Sequence, residues 1–473
     1  MTELYDMPSH PNAIGCVHFV GIGGIGMSGI AEIMHNLGYQ VQGSDVSENS
    51  NVQRLSSMGI KIFQGHDASN MADVALLVIS SAIKTDENPE VLAARKVSIP
   101  VIRRSEMLAE LMRLKYCLTV AGTHGKTTTT SMVAAVLDSA SLDPTVINGG
   151  VINAYGTNAR LGSGDWIVVE ADEFDRSFLA LKPTIAIITN IELEHMDCYK
   201  DLDDLQDAFI KFCRSVPFYG AIIACVDSPS VQEIITKIER PMITYGRSRD
   251  AAYRAKNLRF HENKSTYSVF RAEECLGDIE LNVPGEHNIL NSLAAVVLGL
   301  EMGLSFNMIA KGMKSYLGVR RRFDIKGVYD DILIVDDYAH HPTEVEATLG
   351  SARSGWDRRI VAVFQPHLFS RTKEFFKEFA HALLTADIVV ITDIYPAREQ
   401  PIAGVTSKLI YDELSIKLKE RCYLLPDLDG LVDTLDNITQ SGDMILTMGA
   451  GDIWRYNESY VAHRQSMIQG AYS

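Results

Sequence analysis

A chain of 473 residues, 46% hydrophobic and 22% charged, is too long for one ordinary core and describes a globular protein of roughly two to four domains. Its formal net charge of −16 argues against a nucleic-acid partner, which needs clustered Lys and Arg, yet leaves anionic small molecules open, because local cations, backbone N–H groups and metal ions outweigh a distant global charge. The 7 cysteines lack any C-x-x-C pair, and no apolar run reaches the roughly 20 residues that span a bilayer, so neither a disulfide framework, a zinc site nor membrane association is expected, and the expected location is cytoplasmic.

Short apolar runs bounded by turn residues alternate with amphipathic stretches, the pattern of sheets built from strand-helix-strand units. The first run, VHFV (17–20), opens onto GIGGIGMSG, where Gly21, Gly23 and Gly26 fit G-x-G-x-x-G. Asp45 closes the next strand candidate, YQVQGSD, at about the 20-residue spacing of a ribose-binding acid. Taken alone, this is the fingerprint of a nicotinamide or flavin enzyme. Further strands are expected at 76–80, 118–121, 166–170, 184–189, 221–226, 332–335, 360–364, 388–392 and 444–448, too many for one sheet of roughly 4–6 strands. Alternating polar and apolar residues over 251–283 predict an antiparallel ribbon attached to the middle of the chain. Breaks near 105–116 and 316–324 divide the chain into expected domains 1–108, 109–319 and 320–473, all α/β.

The most specific signal is LTVAGTHGKTTTTSM, a strand running through Gly122, Thr123, His124, Gly125, Lys126 and Thr127 into a helix start. Backbone N–H groups at such a turn face an anion, Lys126 can reach terminal phosphates, and the Thr127 hydroxyl suits magnesium. The general G-x-x-x-x-G-K-[ST] pattern is not met in full, since Val120 stands where its first glycine would be. WIVVEADEFDRSF then brings Glu170, Asp172, Glu173 and Asp175 just past a strand, where a solvated acidic loop or the metal partner of a phosphate loop would read alike; the sheet-edge position favours the second. His195, beyond the next apolar run, makes a second metal site plausible. Downstream, His287, Asn288 and Asn291 open a helix, where capping accounts for one of them and base recognition stays open for the others. Arg321 and Arg322 in GVRRRFD read as a basic linker or as phosphate contacts at a hinge. VDDYAHHPTE and FQPHLFSRT each follow a strand and bring His together with Asp or Arg, as binding loops do. A redox enzyme has no use for a phosphate loop with a metal set, so the opening glycine turn is expected to serve a second phosphate-bearing ligand, a nucleotide-linked substrate.

Read in order, GIGGIGMSGIA, GSD, SSAI, AGTHGKTTTT, EADE, TNIELEHMD, PGEHNILN, RRRFD, DDYAHHP, FQPHLFSRT and GAGDI resemble the Mur ligases, which add amino acids to the muramyl peptide of bacterial cell-wall precursors. The resemblance implies an N-terminal Rossmann-like domain for a UDP moiety and a central P-loop-type ATPase with a parallel sheet and a small antiparallel ribbon. It further implies a C-terminal Rossmann-like domain that closes at a hinge over residues 320–324. It implies ATP-dependent joining of L-alanine to the lactyl carboxylate of UDP-N-acetylmuramate through an acyl phosphate, with attachment of a whole tripeptide as the alternative and a redox enzyme as the reading from another class. Gly21, Ile22, Gly23, Gly24, Ile25, Gly26, Ser44, Asp45, Ser80 and Ser81 would hold the UDP substrate. Gly122, Thr123, His124, Gly125, Lys126, Thr127 and Thr128 would hold ATP phosphates, with Asn190, His287 and Asn291 on the base side, Arg322 on the phosphate side and Asp337 at the ribose. Two magnesium ions, replaceable by manganese, would use Thr127, Glu170 and His195. Tyr338, His340, His367 and Arg371 would receive the amino acid, with His340 or His367 as the base. Leu368 stands where some relatives carry Arg, and Lys211 is the nearest candidate for the carbamylated lysine of other members. The partners implied are these small molecules, in a monomer or weak homodimer.

Overall fold

The computed structural model describes residues 15–80, 82–194, 198–397 and 399–471, and every expected strand run is present. The first sheet contains β1 (Cys16–Val20), β2 (Val41–Asp45), β3 (Lys61–Gln64), β4 (Val74–Ile79) and β5 (Val101–Arg103). Its order β3-β2-β1-β4-β5 is parallel throughout. Because β2 and β4 flank β1 on opposite sides, the chain leaves β1 at a topological switch point, where open α/β sheets bind ligands. The glycine turn occupies that point and feeds the helix Ile25–Asn36.

The second sheet repeats the device with β6 (Tyr116–Ala121), β7 (Thr145–Ile152), β8 (Thr157–Arg160), β9 (Trp166–Glu170), β10 (Ile185–Ile188), β11 (Ala221–Cys225) and β12 (Met242–Gly246). The ribbon strands β13 (Tyr253–His261), β14 (Lys264–Arg271) and β15 (Glu274–Leu281) extend it, in the order β15-β14-β13-β12-β11-β10-β6-β9-β7-β8. Here β6 lies between β10 and β9, parallel to both, and its carboxyl end runs into Gly122. The third sheet has β16 (Asp324–Tyr329), β17 (Ile332–Asp337), β18 (Arg359–Phe364), β19 (Ile388–Thr392), β20 (Cys422–Leu425) and β21 (Asp443–Met448), ordered β16-β17-β21-β18-β19-β20. Only β16 is antiparallel, and the central strands are apolar on both faces: Leu333, Val335, Ala362 and Phe364 enter one core, Ile334, Val361 and Val363 the other.

Two compact units result. The first comprises residues 1–255, 269–277 and 291–316, the second 256–268, 278–290 and 317–473. Within the first unit the two sheets share a hydrophobic core that runs from Val17 and Ile30 through Leu108 and Ala159 to Val169 and Phe209. The helix Ile25–Asn36 makes that junction by close approach to β8: a Cβ on Gly29 would stand 2.9 Å from the Cβ of Ala159. No helix among the described residues is long and apolar enough to cross a membrane.

In the second unit, the buried Asp443 carboxylate takes a two-point hydrogen bond from Arg359, at 2.8 Å from Nε and 2.7 Å from Nη2, which fixes β18 beside β21. Removing one partner of such a pair leaves a desolvated charge. Arg359→Met is therefore expected to destabilise the protein by about 2–4 kcal/mol in denaturant titration, somewhat under the full cost of breaking a buried pair because Arg359 is partly solvated; a loss below about 0.5 kcal/mol would show the pair to be incidental.

Candidate active site

The phosphate loop is held in shape by the strand end beside it. Gly122 lies at φ +137°, and a Cβ there would stand 2.1 Å from Thr189 Oγ1, so no other residue fits. Asn190 clasps the loop backbone: its Oδ1 accepts from His124 N at 2.8 Å, its Nδ2 donates to His124 O at 3.0 Å, and its carbonyl accepts from Thr123 N at 3.0 Å. Expected on the base side of a nucleotide, Asn190 is here a brace for the loop. Asn291 stands next to Gly125, the left-handed residue that caps the helix Lys126–Ser139. The first bond back to Gly125 comes from Thr129 N, leaving the amides of Lys126, Thr127 and Thr128 at the open helix end, where an anion is favoured.

Around this open end sit one cation and a set of carboxylates. Lys126 Nζ donates to both oxygens of Glu173, at 2.8 and 3.0 Å, and to Thr123 O at 3.0 Å. Burial would lower the Lys126 pKa, but Glu173, Asp172 and Glu170 outweigh it and hold the ammonium firmly charged. Burial lifts the Glu173 carboxyl, 1% exposed, from 4.5 to about 7 against the pull of Lys126. Burial likewise raises Glu170, whose Oε1 accepts from Thr127 Oγ1 at 3.1 Å and whose Oε2 accepts from Gly149 N at 2.6 Å. Thr127 and Glu170 thus present hard oxygen donors of the kind Mg2+ takes. His195 and Ser81 lie outside the described residues. Lys211 is exposed on the helix Leu202–Arg214, where its charge acts on Asp204.

The glycine turn spends most of its amides internally. Gly21 N and Ile22 N donate to Ser44 O at 2.8 and 3.0 Å, Gly24 N donates to Gly21 O at 3.2 Å, and Gly23 N donates to Asp45 Oδ2 at 2.8 Å. Asp45 Oδ1 accepts from Ser47 N and Oγ, both at 3.0 Å. Asp45, placed by its spacing at a ribose, is therefore a buried support for the turn itself. Met27 N and Ser28 N begin the helix on Gly24 O, so Ile25 and Gly26 carry the amides at its open end. Ser80 sits beside Gly21. Beside Gly26 lies the guanidinium of Arg104, whose Nη1 would be 2.9 Å from a Cβ at that glycine. No motif marked Arg104; the turn needs a cation near it only if its ligand is anionic. Ser44 Oγ donates at 2.7 Å to the fully buried Glu90, which also accepts from Asn70 Nδ2 at 2.7 Å and lies 3.1 Å from His66 Nδ1. Burial would raise Glu90, but hydrogen bonds from His18, Asn70 and Ser44 hold it below its ordinary value.

In the second unit, three of the four residues expected to receive an amino acid come together. The His340 ring meets Tyr338 edge-on with centroids 5.1 Å apart and His367 at 5.7 Å, and His367 stacks on Tyr395 at 5.9 Å. Glu344 Oε2 accepts from His340 N at 3.0 Å and lies 3.1 Å from its Nδ1, while Oε1 lies 3.5 Å from Arg322 Nη1. Glu344 and Tyr395 were not marked by the sequence; Glu344, four residues after His340 across a loop-helix junction, carries the pattern of a helix-start acid. Arg371 stands in the first turn of the helix Phe369–Leu383, after Leu368 at φ +70°. Arg321 and Arg322 both lie over the Tyr338 ring, 5.0 and 5.2 Å from its centroid, and Arg321 also donates to Asp336 Oδ2 at 3.2 Å and to Gly449 O at 2.5 Å, a structural tie between β17 and β21. Burial pushes the Asp337 carboxyl up to about 6, and its oxygens accept from Phe323 N at 2.6 Å and Ala339 N at 2.7 Å. His287 is exposed in the first turn of the helix Glu286–Glu301.

Two switch points, one ending in a glycine turn and one in a phosphate loop with its carboxylates, followed by a third α/β sheet, recur in known proteins. Residues 16–116 match the model of the Mur ligase family catalytic domain, 120–299 the Mur ligase middle domain and 321–451 the Mur ligase glutamate ligase domain. A UDP-N-acetylmuramate–L-alanine ligase of Geotalea uraniireducens is 48% identical over 94% of this chain and 97% of its own. One of Rhodopseudomonas palustris is 50% identical over the same shares. The crystal structure of a UDP-N-acetylmuramate-alanine ligase from Thermotoga maritima superposes with a TM-score of 0.83 at 31% identity, covering 96% of this chain and all of that one. A murein peptide ligase from Psychrobacter arcticus shares the fold at TM-score 0.69 and 24% identity, covering 95% of this chain and 98% of that one. With all three domain models matched in order along a single chain, and relatives near half identical across it, this protein belongs to the Mur ligase family.

Proposed function

We propose that the chain joins L-alanine to the lactyl carboxylate of UDP-N-acetylmuramate at the expense of ATP, releasing ADP and phosphate as a step of peptidoglycan precursor synthesis in the cytoplasm. The observation that carries this reading is the Lys126, Thr127, Glu170 set at an open helix end, in a chain whose relatives bear that activity in their names. A nicotinamide or flavin enzyme would leave that set without use.

The lactyl carboxylate attacks the γ-phosphorus of ATP, forming the acyl phosphate and expelling ADP. Lys126 offsets the charge that develops on the transferring group. Its ammonium is held by Glu173, so binding of the phosphates would exchange one anionic partner for another, with little change in what desolvation costs the cation. Divalent cations, Mg2+ or Mn2+, would be held by Thr127 and Glu170, with His195 for a second ion, and would supply further neutralisation of phosphate charge. The open amides of Ile25 and Gly26 with Arg104 suit the diphosphate of the UDP moiety. In the second half-reaction the alanine amine attacks the acyl carbon and phosphate leaves. Arg371 would hold the alanine carboxylate. Of the two candidate bases, His340 has a carboxylate oxygen of Glu344 3.1 Å from its Nδ1, which orients the ring, and is our choice to take the amine proton.

Three outcomes test this. Phosphate release from ATP and UDP-N-acetylmuramate should require L-alanine, and a chain that turns over only with a tripeptide instead would refute the substrate assignment. Lys126→Ala combined with Glu173→Gln, so that no buried carboxylate is left without its cation, should cut that release by on the order of a hundredfold or more relative to Glu173→Gln alone; release within about threefold of that single variant would remove Lys126 from the chemistry. Glu173 gives a pH signature. Its folded pKa of about 7 exceeds its ordinary 4.5, so the folded chain binds a proton there more tightly than the unfolded one. That contribution to stability is complete below about pH 4.5 and is lost as pH rises through about 7. The parent's stability relative to Glu173→Gln should therefore decline between about pH 5 and pH 7.5, and a constant difference would contradict the raised pKa.

A further inference from the structure

We infer that Asn158 is a positioning residue that couples the glycine turn to the phosphate loop, so that each nucleotide ligand is bound more tightly when the other is present. The inference rests on the substrate assignment above, since it takes the glycine turn as the UDP site. Asn158 lies on β8 and is fully buried. Its Nδ2 donates at 2.7 Å to the carbonyl of Ile25, the residue that opens the helix after the glycine turn, and lies 3.4 Å from the carbonyl of Asn148. Asn148 immediately precedes Gly149, whose amide holds Glu170 at 2.6 Å. From the other side of Asn148, Nδ2 reaches Ser131 Oγ at 3.4 Å, and Ser131 Oγ donates to Thr127 O at 2.5 Å. One buried amide thus bonds the helix start that faces the diphosphate and the strand that carries both routes to the phosphate loop, through Glu170 and through Thr127.

The contact has no slack. A Cβ on Gly29 would come within 3.0 Å of Asn158 Nδ2 and 2.9 Å of Ala159 Cβ, so a shift of the helix on ligand binding displaces β8 and not an empty gap. The bonds also need a donor of this length: an apolar side chain of similar volume would fill the site and leave the Ile25 carbonyl without it. A purely structural Asn158 would contribute stability alone; a coupling Asn158 contributes a free energy shared between two ligands. Such coupling suits the reaction, because the carboxylate on the UDP substrate and the γ-phosphate of ATP must meet in line.

The test measures, on the full chain by calorimetry, the Kd of UDP-N-acetylmuramate with and without a non-hydrolysable ATP analogue and Mg2+. The parent should bind the sugar nucleotide on the order of tenfold more tightly in the presence of the analogue. Asn158→Ala, and Asn158→Thr, which keeps the volume but is too short to reach the Ile25 carbonyl, should bring that ratio close to one while leaving each ligand's separate Kd within about threefold. Thr157→Val serves as the control, because Thr157 Oγ1, next to Asn158 on β8, donates at 3.4 Å to Glu32 of the helix Ile25–Asn36 across the same junction without bonding Asn158; it should keep the parent's ratio even if it lowers the melting temperature. The inference is overturned if either Asn158 variant keeps the parent's ratio, if Thr157→Val loses it equally, or if the parent binds both ligands independently. A parent that binds the ATP analogue but no UDP-N-acetylmuramate overturns the substrate assignment itself, and this inference with it.

Discussion

Everything in the central domain is arranged around one desolvated cation. The ammonium of Lys126 is kept charged out of bulk water because Glu173, Asp172 and Glu170 surround it, and the carboxyl of Glu173 rises toward neutrality as the consequence of the same burial. Neither group could sit there without the other. The position is supplied by the sheet: β6 has neighbours on both sides and ends at Gly122, β9 delivers Glu170 and then Glu173 from one side, and the strand end after β10 delivers Thr189 and Asn190 from the other. Phosphate charge entering such a site replaces a carboxylate already present, so the site is preorganised for an anion before one arrives.

The N-terminal sheet solves a similar problem without a lysine in the loop. Its turn consumes four amides on Ser44, Gly21 and Asp45, which makes the backbone rigid, and leaves the first-turn amides of the helix outside those bonds. A turn of this kind fixes the geometry of a diphosphate and says nothing of what the diphosphate is attached to, which is why G-x-G-x-x-G alone reads as a redox enzyme. The phosphate loop a hundred residues later changes that reading by making a second nucleotide ligand necessary.

How much of this was legible in the sequence follows from burial. Strands covered on both faces, such as β1, β6, β10, β18 and β21, are continuous apolar runs and were expected within a residue or two. The strands that were not expected are β3, β5, β8, β16 and β20 at sheet edges, where half-exposed residues such as those of KIFQ and TNAR break the apolar pattern, and β7 and β12 inside the second sheet, where TVINGGVI is interrupted by Asn and Gly and MITYG is half exposed. The chemistry at strand ends was equally legible as to place and less so as to use. Asp45, Asn190 and Asp337 each bind backbone amides or carbonyls of a neighbouring loop, a bracing role that residue type and spacing alone do not show. Arg104, Tyr395 and Asn158 reach their sites from segments with no motif of their own, so only the fold brings them in, whereas Glu344 ends the VDDYAHHPTE loop, whose spacing alone does not show that it turns back onto His340.

The central claim is that the lactyl carboxylate of the UDP substrate is activated by phosphorylation before the amine attacks it. Supplying UDP-N-acetylmuramate with both oxygens of that carboxylate labelled with heavy oxygen, together with ATP and L-alanine, and weighing the released phosphate by mass spectrometry tests this directly. The acyl-phosphate route places one labelled oxygen in each phosphate released and leaves the other in the amide; phosphate carrying no label would contradict it.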